Sequence, residues 1–166
     1  MDYIESLIIS YRQRGLLVDT NLLLLYIVGK YDPERIPKFK RTMSFTIEEF
    51  ELLSRFLDLF EKLVTTPNVM TEVSNHLRQL PEYLHSSFFN DFAARLPSFE
   101  EHYRSSAVLA SSPVFSRFGL TDCAIVDLVK ESHLVLTDDF PLAGYLQSQQ
   151  IDVIKFNHIR TLGWVV

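Results

Sequence analysis

Short apolar runs that alternate with helical patterns constrain the fold of this chain more than any other feature. Leu16–Val18 and Leu134–Leu136 are continuous apolar runs that are too short for helices and typical of buried strands. Further strands are predicted around Val64–Thr66 and over Ile151–Phe156. Strands that are separated by helices need crossover connections, which make neighbouring strands parallel. The sequence therefore predicts an α/β fold built from βαβ units in one domain.

The segments between the predicted strands carry helix and loop signals. Thr46 and Glu49 form a capping-box pattern at the start of an amphipathic helix. The segment 30–44 is polar, contains two prolines and is predicted to be a loop. Further helices are predicted over Asn21–Gly29, with Gly29 as its end, over Asn68–Gln79, between Pro81 and Pro97, over Phe99–Ala110, from a Thr121 cap to about Glu131, and over Pro141–Gln149.

The composition is that of a folded protein rather than a disordered or membrane-spanning one. The chain has 166 residues, of which 47% are hydrophobic and 13 are Phe, enough apolar surface for a sizeable core. Its longest apolar runs fall far short of the ~20 residues that a membrane helix needs. The N-terminus lacks signal-peptide features, and Cys123 is the sole cysteine, so the cytoplasm is the expected compartment. Trp164 is expected to pin the C-terminus.

Acidic residues stand at the ends of the predicted strands or early in the helices near them. Asp19 and the Asp138-Asp139 pair directly follow apolar strands, Glu72 lies early in a helix after a strand, and Asp122 opens a helix. In a parallel sheet, the carboxyl ends of the strands and the N-termini of the following helices face the same edge. We therefore expect these acids to meet at one pocket.

A cluster of carboxylates points to metal chemistry. Like charges repel strongly where water is partly excluded, so such a cluster binds cations or keeps some members protonated. Ligation by carboxylates without Cys or His suits Mg²⁺ or Mn²⁺. These ions activate water and neutralise a phosphate under attack, which makes phosphodiester hydrolysis the natural reaction.

Each acid also has an ordinary structural interpretation. Asp19 would cap the helix that follows it, and Asp122 would complement a helix dipole. Glu72 would be a solvated helix residue, and Asp138 and Asp139 would be turn residues. The shared placement of the acids, rather than any one of them, favours the functional interpretation.

Four motifs, in this order along the chain, resemble those of the PIN-domain family of ribonucleases. Leu17–Asn21 looks like the first strand of that family with its leading aspartate, and Thr71–Val73 looks like its helical glutamate. Thr121–Val126 looks like the segment of its third acid, and Leu136–Phe140 looks like that of its last. Each motif is short, and the resemblance rests on the order of all four between about residues 16 and 156.

The resemblance implies a three-layer fold, with a central parallel sheet that has helices on both faces. It also implies Mg²⁺- or Mn²⁺-dependent cleavage of single-stranded RNA and frequent dimerisation. Many bacterial members are toxins that a small antitoxin protein holds inactive. Two features depart from the family: both Asp138 and Asp139 fit the fourth acid, and the segment 30–63 is longer than in compact toxin members.

The placements lead to a hypothesis for the site. Asp19 and Asp122 would be the core metal ligands, while Glu72 and either Asp138 or Asp139 would complete the site or orient the attacking water. The hydroxyl and amide groups of Thr20, Asn21 and Thr137 could add hydrogen bonds to the ligands, although helix capping explains them as well.

Basic residues of the early loop suggest where a nucleic acid could bind. Lys38, Lys40 and Arg41 contribute to a local excess of positive charge, although the formal net charge of the chain is −5. This strip could guide an RNA backbone, and an ordinary solvated loop explains it equally well. His76 lies four residues after Glu72 on the same helix face and is an additional candidate ligand, although such a spacing is more often that of a surface pair.

Two other functions remain as alternatives to a nuclease. The first is a PIN-like module that binds RNA or a protein partner without cutting. The second is a receiver domain of the response-regulator type, which also gathers acids at the edge of a parallel sheet. Receiver domains need an acid pair after the first strand and a lysine after the last, whereas Asp19 stands alone and Lys155 lies inside the final predicted strand.

Overall fold

The computed structural model describes residues 2–161, so Trp164 lies outside the described part of the chain. The helices are α1 (Tyr3–Tyr11), α2 (Thr20–Tyr31), α3 (Ile47–Leu57), α4 (Pro67–Leu77), α5 (Glu82–Arg95), α6 (Ser106–Ala110), α7 (Phe115–Glu131), α8 (Phe140–Ser148) and α9 (Phe156–Thr161). The strands are β1 (Leu16–Val18), β2 (Leu63–Thr65), β3 (Phe99–Glu101), β4 (Leu134–Thr137) and β5 (Val153–Lys155). Short 3₁₀ helices cover Pro33–Lys38 and Leu96–Ser98. This order confirms the predicted α/β class.

The five strands form one parallel sheet in the order β3-β2-β1-β4-β5, with helices flanking it. Leu17 of β1 pairs with Val64 of β2 on one side and with Val135 of β4 on the other. Strands β2 and β3 therefore lie on one side of β1, and the chain then returns to place β4 and β5 on its other side. Such a reversal leaves a crevice beyond the carboxyl ends of the two central strands, where ligands of open α/β sheets bind.

Strand β3 corrects the prediction of a helix over Phe99–Ala110. Phe99 pairs with Leu63 at the edge of the sheet, and only the last part of the predicted segment, α6, is helical. The two glutamates of β3 are exposed, so this edge strand lacks the continuous apolar run that marks the buried strands. Its strand character comes from pairing with β2 rather than from its own composition.

The end of α2 and the segment after it also differ from the predictions. Helix α2 continues past Gly29 to Tyr31, and the predicted loop contains the 3₁₀ helix that begins at Pro33. Gly29 serves close packing instead of ending the helix, because a Cβ built there would lie 2.3 Å from the ring of Phe50 in α3. The capping box of Thr46 and Glu49 forms as predicted.

The apolar side chains of the sheet and helices form a core that includes both central strands. All side chains of β1 and β4 are buried, which agrees with their mostly apolar sequence. Phe88 and Phe92 of α5 are also buried, so this face of the helix packs on the core. Among the helices of residues 2–161, none combines the length and the apolarity that spanning a bilayer needs.

Helix α7 is interrupted at Gly119. This residue has φ 78° and ψ −178°, a conformation that is almost exclusive to glycine. The helix begins at Phe115, before the predicted cap at Thr121, and resumes after the interruption. Thr121 and Asp122 therefore lie in the first turn after Gly119, which keeps Asp122 near a helix N-terminus as predicted.

We expect the change Gly119→Ala to destabilise the protein, because a Cβ strains this backbone conformation by roughly 1–3 kcal/mol. Gly144→Ala is the matched control, since Gly144 lies in α8 and a Cβ there meets nothing within 4 Å. The control should stabilise the fold by about 0.4–1 kcal/mol. Denaturant unfolding measures both values, and a stabilising Gly119→Ala change would contradict the assigned backbone.

Candidate functional site

Four of the five predicted acids line one pocket beyond the carboxyl ends of the central strands. Asp19 follows β1, Asp139 follows β4, Glu72 lies in α4, and Asp122 lies after the interruption of α7. The pocket has a volume of about 520 Å³. The change in strand order between β1 and β4 thus brings together side chains that are far apart in sequence. They meet at the edge of the sheet that the sequence analysis predicted.

Asp19 is buried, and its two carboxylate oxygens accept hydrogen bonds from Thr20 and Thr137. It is the N-cap of α2, and its Oδ1 accepts a hydrogen bond of 2.7 Å from the backbone N–H of Thr20. Thr137, at the end of β4, donates its hydroxyl to Asp19 Oδ2 at 2.5 Å. The same Thr137 oxygen accepts the backbone N–H of Asp139 at 2.9 Å. One threonine therefore positions two of the acids.

Glu72 is fixed by two hydroxyl groups from different helices. Thr20 of α2 donates to Glu72 Oε2 at 3.0 Å, and Thr121 of α7 donates to Glu72 Oε1 at 2.6 Å. Each carboxylate oxygen can accept more than one bond, so both oxygens of Glu72 keep capacity for a further ligand. These bonds hold α2, α4 and α7 together around the pocket.

Asp138 and Asp139 face different surroundings. Asp139 lines the acidic pocket and caps α8 by accepting the backbone N–H of Leu142 at 2.9 Å. Asp138 does not line the acidic pocket; it lines a small cavity with Lys155 and Arg160, which Asp139 also borders. The pKa of Asp138 is raised, chiefly because burial disfavours its charged form. The geometry thus favours Asp139 as the fourth acid of the pocket.

The pKa of Asp19 is raised to about 6, chiefly because burial disfavours the charged carboxylate. The hydrogen bonds to Asp19 oppose this rise, while the negative charges of Asp138 and Asp139 add to it. The pKa of Asp122 is raised to about 7, again first by burial. The charges of Asp19, Asp139 and Glu72 raise it further. The carboxyls therefore interact electrostatically as one cluster.

The spacing of the carboxylates fits a hydrated ion better than a closed cage. Among the described residues, no three carboxylates of this pocket have ligand oxygens that all lie within 4.8 Å of one another. Mg²⁺ usually keeps several water ligands and binds through one or two carboxylates. Asp19, Glu72, Asp122 and Asp139 can supply such oxygens, and the size of the pocket leaves room for water. The donor set therefore fits Mg²⁺ or Mn²⁺.

None of the three residues of the basic strip lines the pocket, but Arg41 acts on His76, which does. Arg41 donates to Gln79 at 2.7 Å and lies close to His76, which lines the pocket. The pKa of His76 is lowered, first by burial and then by the positive charge of Arg41. Lys38 and Lys40 are exposed and are not among the residues that line the pocket.

An aromatic wall of the pocket was not predicted from the sequence. Phe115 and Phe118, in the first part of α7, both line the pocket. The guanidinium of Arg117 lies 4.6 Å from the centre of the Phe118 ring. The signal was present in the sequence, because two aromatic residues three positions apart precede Gly119 on the path to Asp122. Phe140 directly follows Asp139 and is 62% exposed, but it does not line this pocket.

Comparisons with protein-family models, with curated proteins and with solved structures found no match to this chain. The strand order itself distinguishes between the functions that the sequence left open. Receiver domains have the order 2-1-3-4-5, whereas this sheet has the order 3-2-1-4-5. The topology therefore argues against the receiver alternative.

We expect Asp122→Asn to raise the melting temperature of the metal-free protein at about pH 8. A carboxyl whose pKa is raised on folding binds more protons when folded, so stability falls as the pH rises from about 4 to about 7. After allowance for solvent screening, removal of this charge should add about 1 kcal/mol, or roughly 2–4 °C. Thermal unfolding at about pH 8 and about pH 4.5 measures the effect, which should be much smaller at the lower pH.

Asp127→Asn is the matched control for this measurement, because Asp127 lies in the same helix, pairs with Arg104 and does not line the acidic pocket. It should not raise the melting temperature at either pH. Mn²⁺ should stabilise the wild-type protein at about pH 8 more than it stabilises Asp122→Asn. Equal melting temperatures of the two Asn variants would show that the charge of Asp122 does not destabilise the folded protein.

Proposed function

We propose that this protein is a PIN-like endoribonuclease that uses Mg²⁺ or Mn²⁺ to hydrolyse phosphodiester bonds of single-stranded RNA. The observation that carries the proposal is the convergence of four acids on one pocket, at the point where the strand order of the parallel sheet reverses. These acids are Asp19, Glu72, Asp122 and Asp139. Four separate parts of the chain supply these acids. Burial and the charges of neighbouring carboxylates raise the pKa values of Asp19 and Asp122, and a bound divalent cation would offset the repulsion between the carboxylates.

The side chains of the pocket have distinct roles in this proposal. Asp19 and Asp122 would hold the metal ion, and Glu72 and Asp139 would complete its surroundings or orient water. The bound ion would supply activation of water and neutralisation of the phosphate charge. Hydrogen bonds from threonines keep the carboxylate oxygens of Asp19 and Glu72 in place, so little reorganisation is needed when substrate binds.

The rim of the pocket supports a single-stranded substrate. Phe115 and Phe118 line the pocket, and the exposed Phe140 directly follows the pocket residue Asp139 in the chain. Aromatic side chains stack on unpaired bases, which a duplex does not offer. Arg41 stands beside the pocket, and with Lys38 and Lys40 it would attract the phosphate backbone despite the net negative charge of the chain.

The resemblance to PIN ribonucleases extends the proposal to partners and location. It suggests a homodimer in the cytoplasm and, by analogy with many bacterial members, the toxin of a toxin–antitoxin pair. In that case a small antitoxin protein would hold the nuclease inactive. The solution mass of the chain and the effect of its expression on cell growth test these two points.

A second candidate function is a PIN-like module that binds RNA or a protein without cutting. One observation favours it, because the carboxylates of the described pocket are spaced too widely for three of them to ligate one ion directly. Tight Mn²⁺ and RNA binding without cleavage of structured or unstructured RNA would support this module over the enzyme.

We expect Asp139→Asn to lower Mn²⁺-dependent RNA cleavage by at least roughly 100-fold, because the ion contributes several kcal/mol to transition-state stabilisation. Asp138→Asn is the matched control, since Asp138 does not line the acidic pocket, and it should keep most of the activity. Cleavage of a labelled single-stranded RNA with Mn²⁺ or with chelator measures both. Full activity of Asp139→Asn and of Asp19→Asn would overturn the proposed site.

We expect Phe140→Ala to weaken binding of single-stranded RNA, because the loss of one base-stacking contact costs about 1–3 kcal/mol. Tyr83→Ala is the control, because Tyr83 is 77% exposed but lies in α5 and, unlike Phe140, is not adjacent in sequence to a residue that lines the pocket. Binding is measured by fluorescence anisotropy in Ca²⁺, which replaces the catalytic ion. An equal effect of both variants, or none, would remove Phe140 from the RNA path.

A further inference from the structure

A second group of ligand-type side chains lies apart from the acidic pocket. Glu100 belongs to edge strand β3, His102 directly follows that strand, and His133 lies between α7 and β4. Each offers a ligand atom, and these atoms all lie within 4.8 Å of one another. None of the three lines the acidic pocket. Among the described residues, this is the one group of three with such close donors.

The pair Glu100 and His102 is already close to metal-binding geometry. His102 Nε2 lies 3.6 Å from Glu100 Oε2. A tetrahedral zinc ion with bonds of ~2.0–2.1 Å holds its ligand atoms roughly 3.3–3.4 Å apart. His102 Nε2 is buried and makes no hydrogen bond to any described residue. A buried nitrogen without a hydrogen-bond partner is costly unless something else binds it.

His133 is oriented as metal-binding histidines commonly are. Its Nδ1 lies 3.3 Å from the backbone carbonyl of Leu128 in α7, so the ring proton belongs on Nδ1. Nε2 is then left with a free lone pair. A hydrogen bond from one ring nitrogen to a backbone carbonyl usually fixes the tautomer of a ligating histidine. The two imidazole rings lie with their centres 5.1 Å apart.

We propose that Glu100, His102 and His133 form a binding site for Zn²⁺ or a similar transition-metal ion, with water in the remaining position. Two imidazoles and one carboxylate suit zinc, whereas Mg²⁺ prefers oxygen ligands. The site would fasten edge strand β3 to the connection between α7 and β4. It is independent of the acidic pocket and of the proposed nuclease activity.

Lys62 opposes metal binding at this site. Its Nζ lies 3.6 Å from the same Glu100 oxygen, so its positive charge competes with the ion for that carboxylate. The Lys62 side chain is 43% exposed, and its ammonium group can turn into solvent when an ion binds. Replacement of Lys62 by an uncharged residue should therefore tighten metal binding.

The test is Zn²⁺ titration of the full chain by calorimetry, with Co²⁺ absorption spectra to report the coordination. The Asp122→Asn variant serves as the background, so that the acidic pocket contributes little. We expect one equivalent of Zn²⁺ to bind, and His102→Gln and His133→Gln each to weaken binding by at least roughly 10-fold. Lys62→Met should strengthen it, and Zn²⁺ should raise the melting temperature only where both histidines are present.

The outcomes separate this site from the acidic pocket. If the Asp122→Asn background binds no Zn²⁺, the proposed site is wrong, whatever the histidine variants do. It is also wrong if a His102→Gln/His133→Gln double variant with an unchanged circular-dichroism spectrum binds Zn²⁺ as the background does. Glu100→Gln, at an exposed position, gives a further check that does not depend on histidine packing. A weaker Co²⁺ spectrum and weaker Zn²⁺ binding in that variant would support the proposal.

Discussion

The hydrogen bond from Thr137 to Asp19 is the contact on which the acidic pocket depends. It joins the carboxyl ends of β1 and β4, the two strands between which the strand order reverses. A buried carboxylate is costly unless hydrogen bonds compensate it, and Asp19 is only 7% exposed. The Thr137 oxygen also receives the N–H of Asp139. The positions of both acids therefore follow from how one threonine ends a strand.

The charge balance of the pocket favours a cation over an anion. Among its described lining residues, none is Lys or Arg, and His76 is the one basic side chain. The pKa of His76 is lowered, chiefly by burial, so it offers little positive charge. The four acids must then share protons or bind an ion from solution. Metal affinity and protonation are consequently linked, since an ion binds only as the carboxyls lose their protons.

The positions of elements whose own sequence reflects their burial were predictable. The positions of residues that depend on contacts with other parts of the chain were not. The apolar runs of β1 and β4 end at the acids, which placed Asp19 and the 138–139 pair at the correct edge. Strand β3 is defined by pairing with β2, and its glutamates carry no strand signal. The choice between Asp138 and Asp139 depends on how the chain turns into α8, and the wall of Phe115 and Phe118 depends on the turn at Gly119.

The strand order alone would suit a nucleotide-binding protein, since dinucleotide-binding folds begin with the same arrangement. In those folds a glycine-rich turn leaves the following helix N-terminus free to bind phosphate. Here that place is occupied, because Asp19 itself accepts the N–H of Thr20 at the start of α2. A phosphate that approached this helix end would meet the carboxylate of Asp19. A cation between the phosphate and Asp19 would remove the repulsion, in keeping with the metal-dependent reaction that we propose.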